Sequence, residues 1–350
     1  MKILHVITSL ELGGAEKLLL DLIPAQKKQG EDVELLVLDL KNEVFLEEYK
    51  KRGVKIHTPI VNDKKSYKNI FQIAKIIDNG KYEVVHTHLI HSQIWVSLAR
   101  YIAKGPMYIT TEHSTHNRRR ESSVYKLLDK FIYLGYKKII AISEATAREL
   151  VSWTGISLKK IEIVSNGVSL RSFLSKPKER KGNRIIMISR FHKSKDHATV
   201  LRALKQLGKE YTLTFVGEGE TQESVKREAI MLNLGERVQF LGYSNSVASL
   251  LKRHDIAIQS SNFEGFGISA LEAMASGTPI IASNVEGLAE VVDGAGLLFE
   301  LGNVQDLVDK IKLLEDNSFY LQKSKDGIKN SLKYSIETTA KKYIDIYKGE

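Results

Sequence analysis

The sequence predicts an α/β protein built from two doubly wound domains, each a parallel sheet with helices on its faces. Three observations lead there. Short β-branched runs alternate with longer amphipathic ones from one end of the chain to the other, as parallel α/β layers require. At 350 residues the chain is long enough for two domains, each burying its own core. Between two such alternating sets lies a polar, charged stretch containing Pro177, residues 171–183 (RSFLSKPKERKGN), which reads as a linker. The domains are therefore expected at 1–170 and 184–335.

In the first domain the strands fall at residues 2–8, 33–39, 54–57, 84–87, 108–111, 138–142 and 161–164. The first run could pass for the start of a signal peptide, but Glu11 and Glu16 interrupt it early, so it reads as a strand. Helical spacing of apolar residues fills most gaps, as at 15–28 and 67–79. The second set starts at 184–189 and continues at 212–216, 238–241, 256–259 and 279–282; residues 336–348 read as a closing helix. In open sheets of this kind ligands sit outside the carboxyl ends of the strands.

Composition narrows the function classes. Apolar residues make up 43% and charged residues 27%, the balance of a soluble globular protein, and no apolar run approaches the length of a membrane span. There is no cysteine, which excludes disulfides and thiolate metal sites and fits a cytoplasmic protein. Net charge is +10, and most of the excess lies in the first half of the chain. Nucleic acid, an anionic membrane or a phosphorylated acceptor could each account for it, as could a lysine-rich solubilising surface. Nucleic acid is not expected, because no stacking platform or recognisable binding module accompanies the charge.

The most informative stretch is residues 260–279, SSNFEGFGISALEAMASGTP. Gly265 and Gly267 permit close approach of backbone to a ligand, around Phe266 and just before Ile268. The helix that follows offers unpaired N–H groups and the positive end of its dipole, a seat for phosphate. Glu264 and Glu272, eight positions apart, would repel phosphate but accept strongly from hydroxyls. A ligand with both phosphates and sugar hydroxyls is a nucleotide sugar.

This run resembles the Glu-x7-Glu signature of the retaining glycosyltransferases of family 4, which have the two-domain GT-B fold of Rossmann-like halves. The resemblance covers nearly the whole chain. It implies an N-terminal acceptor domain, a C-terminal nucleotide-sugar domain and a last helix, within 336–350, packed back on the first. It implies that Gly13 and Gly14, in the loop after the first strand, face the donor phosphates. Arg190 and Lys195, in the loop after the first strand of the second domain, match the family's pair that neutralises the leaving diphosphate. Asp196 stands where the family often has glycine. Gly217 is expected near the nucleotide, Leu241 and Tyr243 near its base, and His113 on the donor sugar or phosphate. Ser165-Asn166-Gly167-Val168 resembles the element before the linker, with Ser169 replacing the usual aspartate.

The resemblance implies a hexosyltransferase that needs no metal or other cofactor. It favours a uridine over a guanosine diphosphate sugar, and a glycan or lipid-linked acceptor in cell-surface polysaccharide synthesis. A non-catalytic binding subunit and a same-fold nucleotide-sugar epimerase are the alternatives; the first would usually have lost one of Glu264, Glu272, Arg190 or Lys195. His86 and His88, on one face of a strand end, raise a metal site, but hydrogen-bonded structural histidines on a cleft wall are the preferred reading. Finally, Arg118, Arg119 and Arg120 precede an amphipathic stretch, 124–136, carrying Lys126 and Lys130. It is expected either to pack on its own sheet or to rest on the inner face of an anionic membrane.

Overall fold

The structure, a computed structural model, describes residues 1–11, 14–41, 44–113, 123–264 and 266–350. The chain divides into two compact units, Met1–Ser169 with Ile336–Glu350, and Leu170–Ser335.

The first unit is built on a seven-stranded, all-parallel sheet. Its strands are β1 (Lys2–Ser9), β2 (Asp32–Asp39), β3 (Lys55–His57), β4 (Val84–His88), β5 (Met107–Glu112), β6 (Lys138–Ala141) and β7 (Ile161–Ile163). They lie in the order β3-β2-β1-β4-β5-β6-β7. The central strands are buried on both faces, which is why their sequences show no alternation. One face is covered by α1 (Gly14–Lys28) and by α14 (Ile336–Lys348), whose Ile336, Ala340, Tyr343 and Tyr347 join the core formed by β1, β2 and α1. The Asn166-Gly167-Val168 element is where the returning chain docks. Ile336 N–H donates to Val168 O at 3.0 Å, and a Cβ on Gly167 would lie 2.7 Å from Ile336 Cα. Only glycine fits there.

The second unit carries a six-stranded parallel sheet. Its strands are β8 (Arg184–Ile188), β9 (Thr212–Val216), β10 (Val238–Phe240), β11 (Ile256–Gln259), β12 (Ile280–Ser283) and β13 (Leu297–Phe299), in the order β10-β9-β8-β11-β12-β13. Each sheet thus reverses direction at one point, between β1 and β4 in the first and between β8 and β11 in the second. β12 starts at Ile280 rather than at Pro279, which has no N–H to give the ladder and contributes its carbonyl to Ala257 N–H. β13 is a strand that the sequence reading omits.

Residues 171–183 carry no helix or strand. They are fastened to the second unit rather than left loose. The Lys178 ammonium donates to Leu251 O (3.1 Å), His254 O (2.5 Å) and Thr278 Oγ1 (2.8 Å), and Lys181 N–H donates to Asp255 Oδ1. No helix among the described residues is long and apolar enough to cross a membrane.

Candidate active site

In an open parallel sheet, the two loops that leave the reversal point in opposite directions open a crevice at the strand ends. In the second unit those are the loops after β8 and β11, which carry Arg190, Lys195 and Glu264. The two loops are zipped together by main-chain bonds. Asn262 N–H donates to Ser194 O (2.8 Å), Asp196 N–H donates to Ser260 O (3.1 Å), and Lys195 and Ser261 form a one-residue antiparallel bridge.

That bridge brings Lys195 onto Glu264, and the two side chains form an ion pair that is less than one-fifth exposed. Glu264 Oε2 also accepts from Gln259 Nε2 (3.2 Å) and Ser261 Oγ (3.4 Å), and Lys195 Nζ reaches Ser261 Oγ at 3.2 Å. Glu264 is therefore held rigidly, with one oxygen carrying these contacts. Asp196 has a structural reason to replace glycine. It caps α7 (His197–Gln206), accepting from Thr199 N–H at 3.1 Å, and its other oxygen accepts from Ser260 Oγ–H at 3.2 Å.

Arg190 points outward, and its guanidinium has no partner among the described residues. Its neighbour Phe191 is buried and stacks on His197, ring centroids 4.4 Å apart. Burial holds His197 well below its usual range, at about 4, so this prop is neutral. Gly217 closes β9 beside the same loop with φ +134, and a Cβ there would lie 2.0 Å from Ser189 O. Gly217 N–H donates to Gly242 O (2.8 Å), and Glu218 accepts from Tyr243 N–H (3.2 Å). Leu241 and Tyr243 present exposed side chains on that edge.

Gly267 begins α10 (Ile268–Ala275) in the left-handed region, φ +69, and a Cβ would sit 2.7 Å from Leu288 Cδ1. Phe266 rests edge-on against Tyr334, Ile268 is exposed, and Glu272 lies one turn into the helix, partly exposed. Gly13 and Gly265, and the arginines 118–120, lie outside the described residues.

In the first unit the reversal lies between β1 and β4, and a cavity of about 300 Å³ opens at the strand ends there. Thr8, Ser9, Glu16, Leu89 and His113 are among the residues that line it. Leu89, at the start of α4 (Ile90–Ala99), has φ 70 and ψ 157, a conformation suited to glycine. A leucine held there stores roughly 1–3 kcal/mol of strain, a cost that clusters at binding sites. Glu16, just after Gly14, is buried at the start of α1; desolvation raises its pKa, and Glu11 adds to the rise.

Behind the cavity lies a group of histidines. His86 and His88 are fully buried in the core rather than on a cleft wall, and they are joined by His5, which sequence reasoning missed inside β1. Ligand atoms of the three come within 4.8 Å of one another. All six ring nitrogens are already engaged, however, with His5, His88 and His113 in one series and His86 between Tyr347 and Thr111. An ion could enter only by breaking these bonds. Burial holds His5 and His113 at about 4 and His86 and His88 well below their usual range.

Two parallel-sheet units, each with one reversal of its strand order, form the GT-B fold of glycosyltransferases. The family described as "Glycosyltransferase Family 4" matches residues 12–172, and "Glycosyl transferases group 1" matches 171–334. The chain belongs to glycosyltransferase family 4 and is a glycosyltransferase. It is 26% identical over 357 residues to the N-acetylgalactosamine-N,N'-diacetylbacillosaminyl-diphospho-undecaprenol 4-alpha-N-acetylgalactosaminyltransferase of Campylobacter jejuni, covering 97% of this chain and 98% of that one. Among solved structures, a glycosyltransferase of Rickettsia africae superimposes with a TM-score of 0.83 at 20% identity, covering 99% of this chain and 98% of that one. Anabaena HepE in complex with UDP does so with 0.80 at 19% identity, over the full length of both.

Proposed function

We propose that the protein transfers a sugar, with retention at the anomeric carbon, from a nucleoside diphosphate sugar to a lipid-linked or glycan acceptor, and that its donor carries uridine rather than guanosine. The carrying observation is the zipped pair of loops that holds Lys195 on Glu264, with Arg190 exposed in the loop after β8 and without a partner among the described residues. The uridine donor is supported by the fold shared with a UDP complex, and the lipid-linked acceptor by the Campylobacter relative's name.

On this reading Arg190, Lys195 and the α10 N-terminus hold the diphosphate, and they stabilise it as the bond from the anomeric carbon to its oxygen breaks. The acceptor hydroxyl bonds to the same face of that carbon, and its proton passes to the departing phosphate oxygen. Glu264 accepts from a hydroxyl of the sugar and Glu272 from the ribose. Fixed cations supply the charge stabilisation, so no divalent ion is required. Gly217, Leu241 and Tyr243 frame the base and the loop beside it.

The acceptor would be met at the inner face of a membrane. Helix α5 (Ser123–Leu134) exposes Tyr125, Leu127, Leu128, Phe131 and Leu134 beside exposed Lys126 and Lys130. Tyr101 and Ile102, also exposed, adjoin its end, where Arg100 donates to Gly135 O at 3.1 Å. Only its other side, with Ile132 and Tyr133, is buried. Apolar side chains flanked by lysines suit an anionic interface.

The test is incubation with a panel of UDP- and GDP-sugars, read by mass spectrometry for nucleotide release with and without EDTA. UDP release that survives EDTA and is lost in Arg190→Ala supports the reading. Binding without turnover would point to a non-catalytic subunit. A retained anomeric configuration in the product, read by NMR, tests the stereochemistry.

A further inference from the structure

The buried histidines form a hydrogen-bonded chain with a direction, and that direction ends at His113. Gln26 is its branch point. Gln26 Oε1 lies 2.9 Å from His5 Nε2, and Gln26 Nε2 lies 3.4 Å from Tyr347 Oη. From the amide oxygen the chain runs through His5 Nδ1 to His88 Nε2 (2.9 Å) and through His88 Nδ1 to His113 Nε2 (3.1 Å). From the amide nitrogen it runs through Tyr347 to His86 Nδ1 (2.6 Å) and from His86 Nε2 to Thr111 Oγ1 (2.8 Å).

A neutral imidazole has one N–H and one lone pair, so fixing one nitrogen fixes the other. Burial keeps every ring in this chain neutral. Gln26 Oε1 can only accept, so His5 donates from Nε2 and accepts at Nδ1. His88 then donates from Nε2 and accepts at Nδ1, and His113 donates from Nε2. The lone pair of His113 Nδ1 is left over. That atom is buried, has no hydrogen-bond partner among the described residues, and belongs to a residue lining the 300 Å³ cavity. The opposite polarity would leave an orphaned N–H there instead, the rarer and costlier outcome in buried sites.

We propose that Gln26, His5 and His88 are positioning residues that fix the tautomer of His113, so that Nδ1 accepts a hydrogen bond from a hydroxyl of the bound sugar and not from any phosphate. This rests on the function proposed above and decides which part of the donor His113 reads. A bare lone pair attracts an O–H and repels an anionic oxygen.

The first test does not depend on glycosyl transfer. Long-range ¹⁵N–¹H correlation spectra of the full chain with ¹⁵N-histidine, at pH 7, report which nitrogen of each ring is protonated. Unprotonated Nδ1 in His5, His88 and His113 is expected; a protonated Nδ1 at His113 would overturn the proposal. Gln26→Leu removes the acceptor and should give a mixture of His113 tautomers, whereas an unchanged His113 signal would deny Gln26 its role. Second, His113→Phe should leave binding of UDP itself unchanged, and UDP weakened tenfold would mean a phosphate contact and sink the proposal. Third, among singly deoxygenated donors, one should lose roughly 5–100-fold in kcat/KM with the natural chain and little more with His113→Phe. His113→Asn, which returns an acceptor near the Nδ1 position, should recover part of the loss. If no deoxygenated donor distinguishes the natural chain from His113→Phe, the proposal fails; if UDP does not bind the natural chain at all, it is the proposed function that fails while the tautomer result stands.

Discussion

Lys195→Met separates two jobs of one side chain. The structure shows Lys195 paired with Glu264, and the proposed function has it supply positive charge to a bound diphosphate. Breaking a fully buried ion pair by removing one partner costs ~3–5 kcal/mol. Here the two side chains are 14% and 18% exposed, and Glu264 keeps its bonds from Gln259 and Ser261. A loss of about 2–3 kcal/mol is therefore expected, which at ~2–4 °C per kcal/mol for a unit of this size lowers the midpoint of that unit's thermal transition by roughly 4–12 °C. The lost contact to the diphosphate should weaken UDP binding by ~10–150-fold, from ~1.5–3 kcal/mol for a hydrogen bond to a charged group. The double variant Lys195→Met/Glu264→Gln carries no orphaned carboxylate, so it should recover most of the stability and none of the affinity. Calorimetry with UDP and a thermal scan of all four proteins complete the cycle. Unchanged UDP affinity in Lys195→Met, or affinity restored in the double variant, would refute the reasoning.

Gly217→Ala forces a Cβ to within 2.0 Å of Ser189 O at φ +134, so the loop that carries Arg190 must shift; a loss of roughly 3–5 kcal/mol in urea unfolding is expected, and a loss under ~1 kcal/mol would count against the close backbone contact. Lys178→Met removes the ammonium donor to His254 O, while Leu251 O still accepts from the Thr278 hydroxyl (2.8 Å) and that hydroxyl keeps Ser276 Oγ (2.9 Å), so a cost of ~1–3 kcal/mol is expected, also read in urea. Four neutral histidines make the first unit acid-sensitive. Their folded pKa values lie below the unfolded value of ~6.5, so the unfolded chain takes up protons first and stability falls as pH drops from about 6.5 towards about 4. The slope approaches ~1.4 kcal/mol per pH unit for each histidine, and unfolding midpoints that stay flat from pH 7 to pH 5 would exclude it. Leu127→Glu with Phe131→Glu on the exposed side of α5 should reduce flotation with anionic vesicles at least tenfold without changing UDP affinity; equal flotation would remove the membrane-docking role.

Much of the fold could be read because short β-branched runs alternate with longer amphipathic ones along the chain. β1, β2, β9 and β11 are read in that way to within a residue or so at each end. β13 does not. Its three residues follow a glycine-alanine-glycine turn and are too short to show a period. The strap at 171–183 reads as a linker because polar residues with a proline look alike whether free or fastened; its anchors, Leu251, His254 and Thr278, lie far away in the chain.

The candidate site was legible as a set of residues but not as an arrangement. Lys195 and Glu264 are 69 residues apart, and only the strand order, which no local pattern encodes, makes their loops neighbours. His5 sits in mid-strand where any buried residue would serve, so its tie to Gln26 and His88 is invisible without the fold. Leu89 gives no sign in the sequence of its glycine-like backbone.

The most direct test is a crystal structure of the protein with UDP bound. The diphosphate should lie at the ends of β8 and β11, within hydrogen-bond distance of Arg190, Lys195 and main-chain N–H groups at the start of α10, with the ribose hydroxyls on Glu272. A diphosphate bound elsewhere, with Arg190 and Lys195 untouched, would contradict the account.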